Sequence, residues 1–130
     1  MKLDNDCIRD ILLFLEEKLD IKDDNGDTVI VPIESLIDNF KNKYSEKQIM
    51  YTTDKIKEGG FIKTCYHRYV SDNSDDIMEL TYDGHLYLAN IRDNQIWNIV
   101  KNKTKGLASV SFGIMVELAK EEIKQKLNFN

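Results

Sequence analysis

The sequence is poor in the features that mark secreted and membrane proteins. It has two cysteines in 130 residues, Cys7 and Cys65, and they form neither a CxxC pair nor a dense framework. No apolar run approaches the roughly 18 residues that a bilayer-spanning helix needs. The opening residues 1–4 lack the apolar stretch and cleavage site of a signal peptide. We therefore expect a cytoplasmic protein with no membrane partner.

Internal repeats and low-complexity tracts are also missing, which argues against a solenoid or a disordered chain. A length of 130 residues with 42% hydrophobic side chains can supply one real core. One compact domain, with room for a helical appendage, is the expectation.

Positive charge is in short supply: 18 Lys and Arg stand against 23 Asp and Glu, for a net charge of -5. Nonspecific nucleic-acid affinity comes mainly from basic side chains that displace counterions from phosphates, so broad nonspecific binding is disfavoured. The charge is unevenly distributed, with -7 over 1–40, +3 over 41–65, -4 over 66–90 and +3 over 91–130. An anionic partner should meet the second or fourth of these blocks.

Apolar spacing predicts a first helix capped by Asp4 or Asn5. The face that it would bury has residues three and four apart, namely Cys7, Ile8, Ile11, Leu12, Leu15 and Leu19. Residues 23–27 have the composition of a turn, and the β-branched run 28–31 predicts a short strand that leads into Pro32 at a helix entry.

Two more helices are expected before the first glycine pair. The second covers about 33–42. The third opens at Ser45, which forms a capping box with Gln48, and stops at Gly59-Gly60. Its buried side is predicted to hold Ile49, Thr53 and Ile56.

The rest of the chain predicts a β-hairpin and then helices. Residues 61–70 and 77–81 are the expected strands, with the polar hinge 71–76 between them. Thr81 can cap the next helix. A break near Asp93-Asn94 precedes a helix with Ile96, Trp97 and Val100, a linker over 101–106 follows, and Ser111 opens a last helix.

Three helices followed by a two-stranded wing is the order of a winged helix-turn-helix, and residues 54–62 resemble the end of a recognition helix entering its wing. Further features are Leu80-Thr81-x-x-Gly84-His85-x-x-Leu88, then Ile91-Arg92-Asp93 and Trp97. With them, the chain resembles an uncharacterised winged-helix family of bacterial and prophage proteins. The resemblance implies an α+β, mostly helical fold, with a winged-helix domain over 1–92. The C-terminal helices over 93–130 would pack on that domain or mediate a homodimer.

The leading functional interpretation is a non-enzymatic DNA-binding regulator with the third helix in the major groove. The side chains expected to point outward from that helix are Lys47, Gln48, Tyr51, Thr52 and Lys55, with Arg68 contributing from the wing. The alternative is that these lysines are ordinary solvated surface residues, because acidic residues on the same helix interrupt the positive field that a DNA-binding helix normally presents.

A second interpretation is an acidic module, such as a phage-encoded inhibitor or adaptor, that binds a host or phage protein. The wing tip supplies Asp72, Asp75 and Asp76, which would repel phosphates and attract a basic partner. Trp97 would join this surface if it is exposed, whereas its spacing relative to Ile96 and Val100 favours packing.

Catalytic and metal chemistry find little support. Cys65-x-His67 places two possible ligands on one strand face, whereas zinc sites need three or four, so no metal and no cofactor are predicted. Catalysis would require a pocket that gathers His85, Asp83 and Tyr87. We expect no enzyme activity.

Overall fold

The computed structural model describes residues 1–27, 29–65 and 76–128, and within them the fold is α+β and mostly helical, as the sequence predicts. The elements, in chain order, are α1 (Asn5–Lys18), α2 (Ile33–Asn39), α3 (Glu46–Glu58), β1 (Ile62–Cys65), β2 (Asp76–Leu80), α4 (Tyr82–Ile91), α5 (Asn94–Thr104) and α6 (Phe112–Lys126). In the described parts of the chain, no helix has the length and apolar character needed to cross a membrane.

Helix α1 forms as its spacing predicts. The Asp4 carboxylate accepts a hydrogen bond from the Cys7 amide at 3.1 Å, which satisfies one of the orphan donors at the helix start. The buried face contains Cys7, Ile8, Ile11, Leu12 and Leu15, each at most 3% exposed. Helix α2 is shorter than predicted, because it ends at Asn39 rather than near residue 42.

Strands β1 and β2 pair antiparallel. Ile62 lies opposite Leu80 and Lys63 opposite Glu79, after which the register skips Met78 and pairs Thr64 with Ile77. This irregularity is a β-bulge, which bends a strand locally. The predicted strand residues 66–70 and the hinge residues 71–75 lie outside the described residues.

The segment between α1 and α2 also joins β2. Val31 and Ile77 exchange two backbone hydrogen bonds of 2.9 Å each in an antiparallel bridge. The strand predicted over 28–31 is therefore reduced to a bridge at Val31, and Thr28 lies outside the described residues. Pro32 lies at the entry of α2, as expected, in the N-cap position and without a side-chain cap hydrogen bond.

Helix α5 begins at the predicted break near Asp93-Asn94, and α6 follows Ser111 as predicted. Asp93 accepts from the Ile96 amide at 3.0 Å and Ser111 from the Ile114 amide at 3.2 Å. The linker predicted over 101–106 is wrong for its first four residues, because α5 continues through Thr104. Thr104 follows Val100 by one helical turn and its hydroxyl donates to the Val100 carbonyl, so the same face of α5 continues.

The chain divides into two compact units, Met1–His85 and Leu86–Asn130. In the first, α1 packs on α3 and on β2, and α2 packs on α3. In the second, α5 packs on α6.

Candidate nucleic-acid interface

Helix α3 has a buried face and an exposed face, and the candidate interface is the exposed one. Ser45 caps the helix by accepting from the Gln48 amide at 3.1 Å. The buried face is formed by residues three and four apart: Ile49, Thr52, Thr53 and Ile56, with at most 7% exposure each.

The expectation that Thr52 points outward is wrong. Thr52 lies three residues after Ile49 and four before Ile56, so the helical period places it on the buried side, where it is 0% exposed. Its hydroxyl accepts from Nε2 of Gln48 at 3.1 Å. Gln48 therefore supports a buried hydroxyl, and Thr52 is not available to a partner of α3.

The outward side of α3 retains three of the predicted residues. Lys47 is exposed, and Tyr51 and Lys55 are half-buried. The Lys55 ammonium lies 5.6 Å from the centre of the Tyr51 ring, a cation–π distance that lays the lysine along the helix surface. Met50, which is 47% exposed, also belongs to this surface. It is not among the residues predicted from the sequence, although it follows Lys47 by three residues and therefore lies on the same side of the helix.

The positive charge of this surface is locally balanced. Lys55 pairs with Glu58 at 2.9 Å, and this hydrogen bond raises the pKa of the Lys55 ammonium. Three surrounding lysines are also paired, as Lys41–Asp38 at 3.6 Å, Lys43–Asp10 at 2.7 Å and Lys63–Glu79 at 3.2 Å. In the Lys41–Asp38 and Lys63–Glu79 pairs both side chains are more than half exposed, and such pairs contribute little to stability, so a phosphate could replace the carboxylate at little cost.

Asp10 fixes the turn before α3 against α1. Its Oδ2 accepts from the Tyr44 hydroxyl at 2.6 Å as well as from Lys43. Burial, and then the bond to Asp10, raise the pKa of Tyr44, so this hydroxyl remains a donor. The cluster positions the start of α3 and leaves Lys43 partly neutralised.

A second contact fixes the other end of α3, through the turn at residues 59–61. The Thr81 hydroxyl donates to the Gly60 carbonyl and accepts from the Gly84 amide, so it caps α4 as predicted. The Thr81 amide donates to the Phe61 carbonyl at 2.9 Å. A Cβ on Gly84 would lie 2.3 Å from that same oxygen, so only glycine permits this approach.

Residues 2–111 match the family model described as Hypothetical protein (DUF2513). The chain belongs to this DUF2513 family. No curated protein and no solved structure matches it. The predicted membership of an uncharacterised family is thereby confirmed, and the match ends at Ser111, the cap of α6.

Of the residues of the alternative protein-binding surface, the structure describes Asp76 and Trp97, both within the DUF2513 match. Trp97 is 3% exposed, so its interpretation as part of a partner surface is wrong, and it packs as its helical spacing favours. Asp76 is half-buried at the start of β2, opposite Cys65. Arg68, Asp72 and Asp75 lie outside the described residues.

His85 and Cys7 are two described residues whose side chain types can take part in acid–base or nucleophilic chemistry. The cavity that His85 lines includes neither Asp83 nor Tyr87. Across residues 1–27, 29–65 and 76–128, no group of three or more His, Cys, Asp and Glu could hold a metal ion. His67 lies outside these residues. Burial raises the pKa of the Cys7 thiol to about 11, which makes it a poor nucleophile near neutrality.

Proposed function

We propose that this DUF2513 protein is a non-enzymatic DNA-binding regulator of winged-helix architecture, encoded by a bacterium or prophage and acting in the cytoplasm. The observation that carries the proposal is the bridge from Val31 to Ile77. It adds the segment between α1 and α2 to the β1–β2 pair, so that one segment before α2 and α3 and two strands after them form a small three-segment sheet. Such a sheet is compatible with a winged helix that would present its third helix to DNA.

Helix α3 would lie in the major groove with its outward face against the bases. Lys47 and Lys55 would contact phosphates or guanine edges, and Tyr51 would donate to a phosphate. Met50 offers an apolar contact for a thymine methyl group. Gln48 would hold the buried Thr52 hydroxyl rather than contact DNA itself, and Arg68 would contact the DNA backbone from the wing.

The local ion pairs predict a weak nonspecific affinity. A helix whose lysines are balanced by carboxylates gains little from counterion release, so specific contacts must supply most of the free energy of binding. A homodimer formed through the C-terminal helices would add a second α3 and with it a second half-site.

The test is a mobility-shift assay with the promoter region of the protein's own gene, run over a series of salt concentrations. Each phosphate contact contributes about 0.9 to the slope of log affinity against log salt, so Lys47→Ala and Lys55→Ala should each lower the slope by about 1. Lys22→Ala, an exposed lysine of the turn after α1, is the matched control and should leave the slope unchanged. The absence of any shift at low salt would rule out DNA as the partner.

The acidic protein-binding module is the second candidate, and the charge of the first unit favours it. Residues 1–85 carry eleven basic and nineteen acidic side chains, a balance of -8. A surface of that sign attracts basic proteins and repels phosphate. If no DNA shift occurs, affinity capture from a bacterial lysate should retain a basic partner that is lost when Asp72, Asp75 and Asp76 are changed together to Asn. Equal retention by that variant would contradict a role for these carboxylates.

A further inference from the structure

A cavity of about 330 Å³ opens in the first unit, and no residue of α3 lines it. It lies between the end of α1, the segment that follows, strand β2 and the first turn of α4. The residues that line it are Leu15, Glu16, Leu19, Asp20, Ile21, Met78, Glu79, Leu80 and His85. Its volume is at the lower end of the range for sites that bind small organic molecules.

The floor of the cavity is apolar. Leu15 is 0% and Leu80 7% exposed, and Leu19 and Met78 are half-buried beside them. Met78 is the residue that the β1–β2 register skips, so the bulge in β2 coincides with the cavity wall. Ile21 is 85% exposed and stands at the rim, where an apolar ligand would cover it.

Most of the ionisable side chains that line the cavity are acidic. Glu16, Asp20 and Glu79 contribute three carboxylates, and His85 contributes an imidazole. Glu79 is paired with Lys63 at 3.2 Å, but both side chains are more than half exposed, so this pair is weak and can rearrange. Oδ1 of Asp20 accepts a hydrogen bond from the Ile21 amide at 2.7 Å. An anion would meet net repulsion from the three carboxylates, whereas a cation would be attracted to them.

We propose that this cavity binds a small organic cation with an apolar body, of the class of aliphatic or arylalkyl amines. The body lies over Leu15, Met78 and Leu80 and covers Ile21. The ammonium group lies at the carboxylates of Glu16 and Asp20. This site does not depend on the function proposed for α3, since none of its lining residues belongs to that helix.

The test compares ligands that share one apolar body and differ in charge: 4-phenylbutylamine, 4-phenylbutanol and 4-phenylbutyrate. Each is titrated into the full chain and followed by amide chemical shifts. The amine should shift residues 15–21, 78–80 and 85, and should bind about two- to five-fold more tightly than the alcohol for each carboxylate engaged. The butyrate should bind most weakly.

Equal binding of the amine and the alcohol would overturn the assignment of a cation, and shifts confined to other residues would overturn the site. Asp20→Asn should weaken amine binding about two- to five-fold and leave alcohol binding unchanged. Asp38→Asn removes an exposed carboxylate of α2 outside the cavity and should leave both affinities as they are. Equal losses in the two variants would show a general charge effect and contradict the proposal.

Discussion

Gly84 shows how a single residue determines the contact between two parts of the first unit. Its amide donates to Thr81, and the position that a Cβ would occupy lies 2.3 Å from the backbone oxygen of Phe61. A backbone oxygen cannot move aside as the end of a flexible side chain can. Any larger residue at this position must therefore separate the start of α4 from the turn that ends α3.

Gly84→Ala should lower the free energy of unfolding by about 1 to 3 kcal/mol, the usual cost of forcing extra atoms into a packed site. Gly113→Ala is the matched control, because the nearest atom to its added Cβ is Ser111 Oγ at 3.9 Å. That control should raise stability by up to about 1 kcal/mol through helix propensity. Urea unfolding followed by far-UV circular dichroism measures both, and equal effects of the two changes would contradict the steric argument.

The sequence predicts part of this contact. Thr81 is recognisable as a cap, because a threonine precedes an apolar helical pattern. The sequence does not show that glycine is required three residues later, at position 84. The requirement comes from the backbone oxygen of Phe61, which is 23 residues away along the chain. Local spacing contains no information on such an approach. The cavity beside His85 was unpredictable for the same reason, since three separate segments build it.

At the scale of elements, the packing of α1 on α3 depends on small and polar side chains as well as aliphatic ones. Cys7 of α1 is 0% exposed and its thiol hydrogen-bonds with Thr52 of α3. The sequence places Ile49, Thr53 and Ile56 on the correct face of α3. It misplaces Thr52, because a polar side chain between lysines suggests a position exposed to solvent. The helical period places Thr52 in the interior instead, where the hydrogen bond from Gln48 satisfies its hydroxyl.

This packing should weaken in alkaline solution. Burial raises the pKa of Cys7 in the folded chain from 9.0 to about 11. Below pH 9 both states hold the proton and stability is complete, whereas between pH 9 and about pH 11 the unfolded chain ionises first, so stability falls as pH rises. The wild-type chain should lose about 1 to 3 kcal/mol more over this window than Cys7→Ala, as measured by urea unfolding at each pH. Parallel pH profiles for the two proteins would contradict this prediction.

At the scale of the whole molecule, charge is divided between the two compact units. The first unit carries -8, while residues 86–130 carry seven basic and four acidic side chains, for +3. The alternation of charge along the sequence is visible without a structure. Ion pairs between residues three apart, such as Lys55 with Glu58, can also be recognised in the sequence. The pair of Lys43 with Asp10 cannot, because its partners are 33 residues apart.

The excess of like charge should make the protein more stable in salt. Raising NaCl from about 10 mM to about 300 mM shortens the screening length from about 30 Å to less than 8 Å and should raise the thermal midpoint by a few degrees. Asp24→Lys, in the exposed turn after α1, should reduce this gain, and Asp24→Glu should preserve it. Calorimetric scans over the salt series provide the measurement, and a midpoint independent of salt in all three proteins would refute the electrostatic account.

The bridge between Val31 and Ile77 has a consequence for folding during synthesis. Its two partners are 46 residues apart, and α2 and α3 lie entirely within the loop that they close. At a translation rate of roughly 5 to 20 residues per second, Val31 emerges about 2 to 9 seconds before Ile77. During that interval the nascent helices can form, but the backbone N–H and C=O groups of Val31 lack their partner in Ile77 and can pair with other chains. Closing the loop is thus the late, non-local step that completes the sheet.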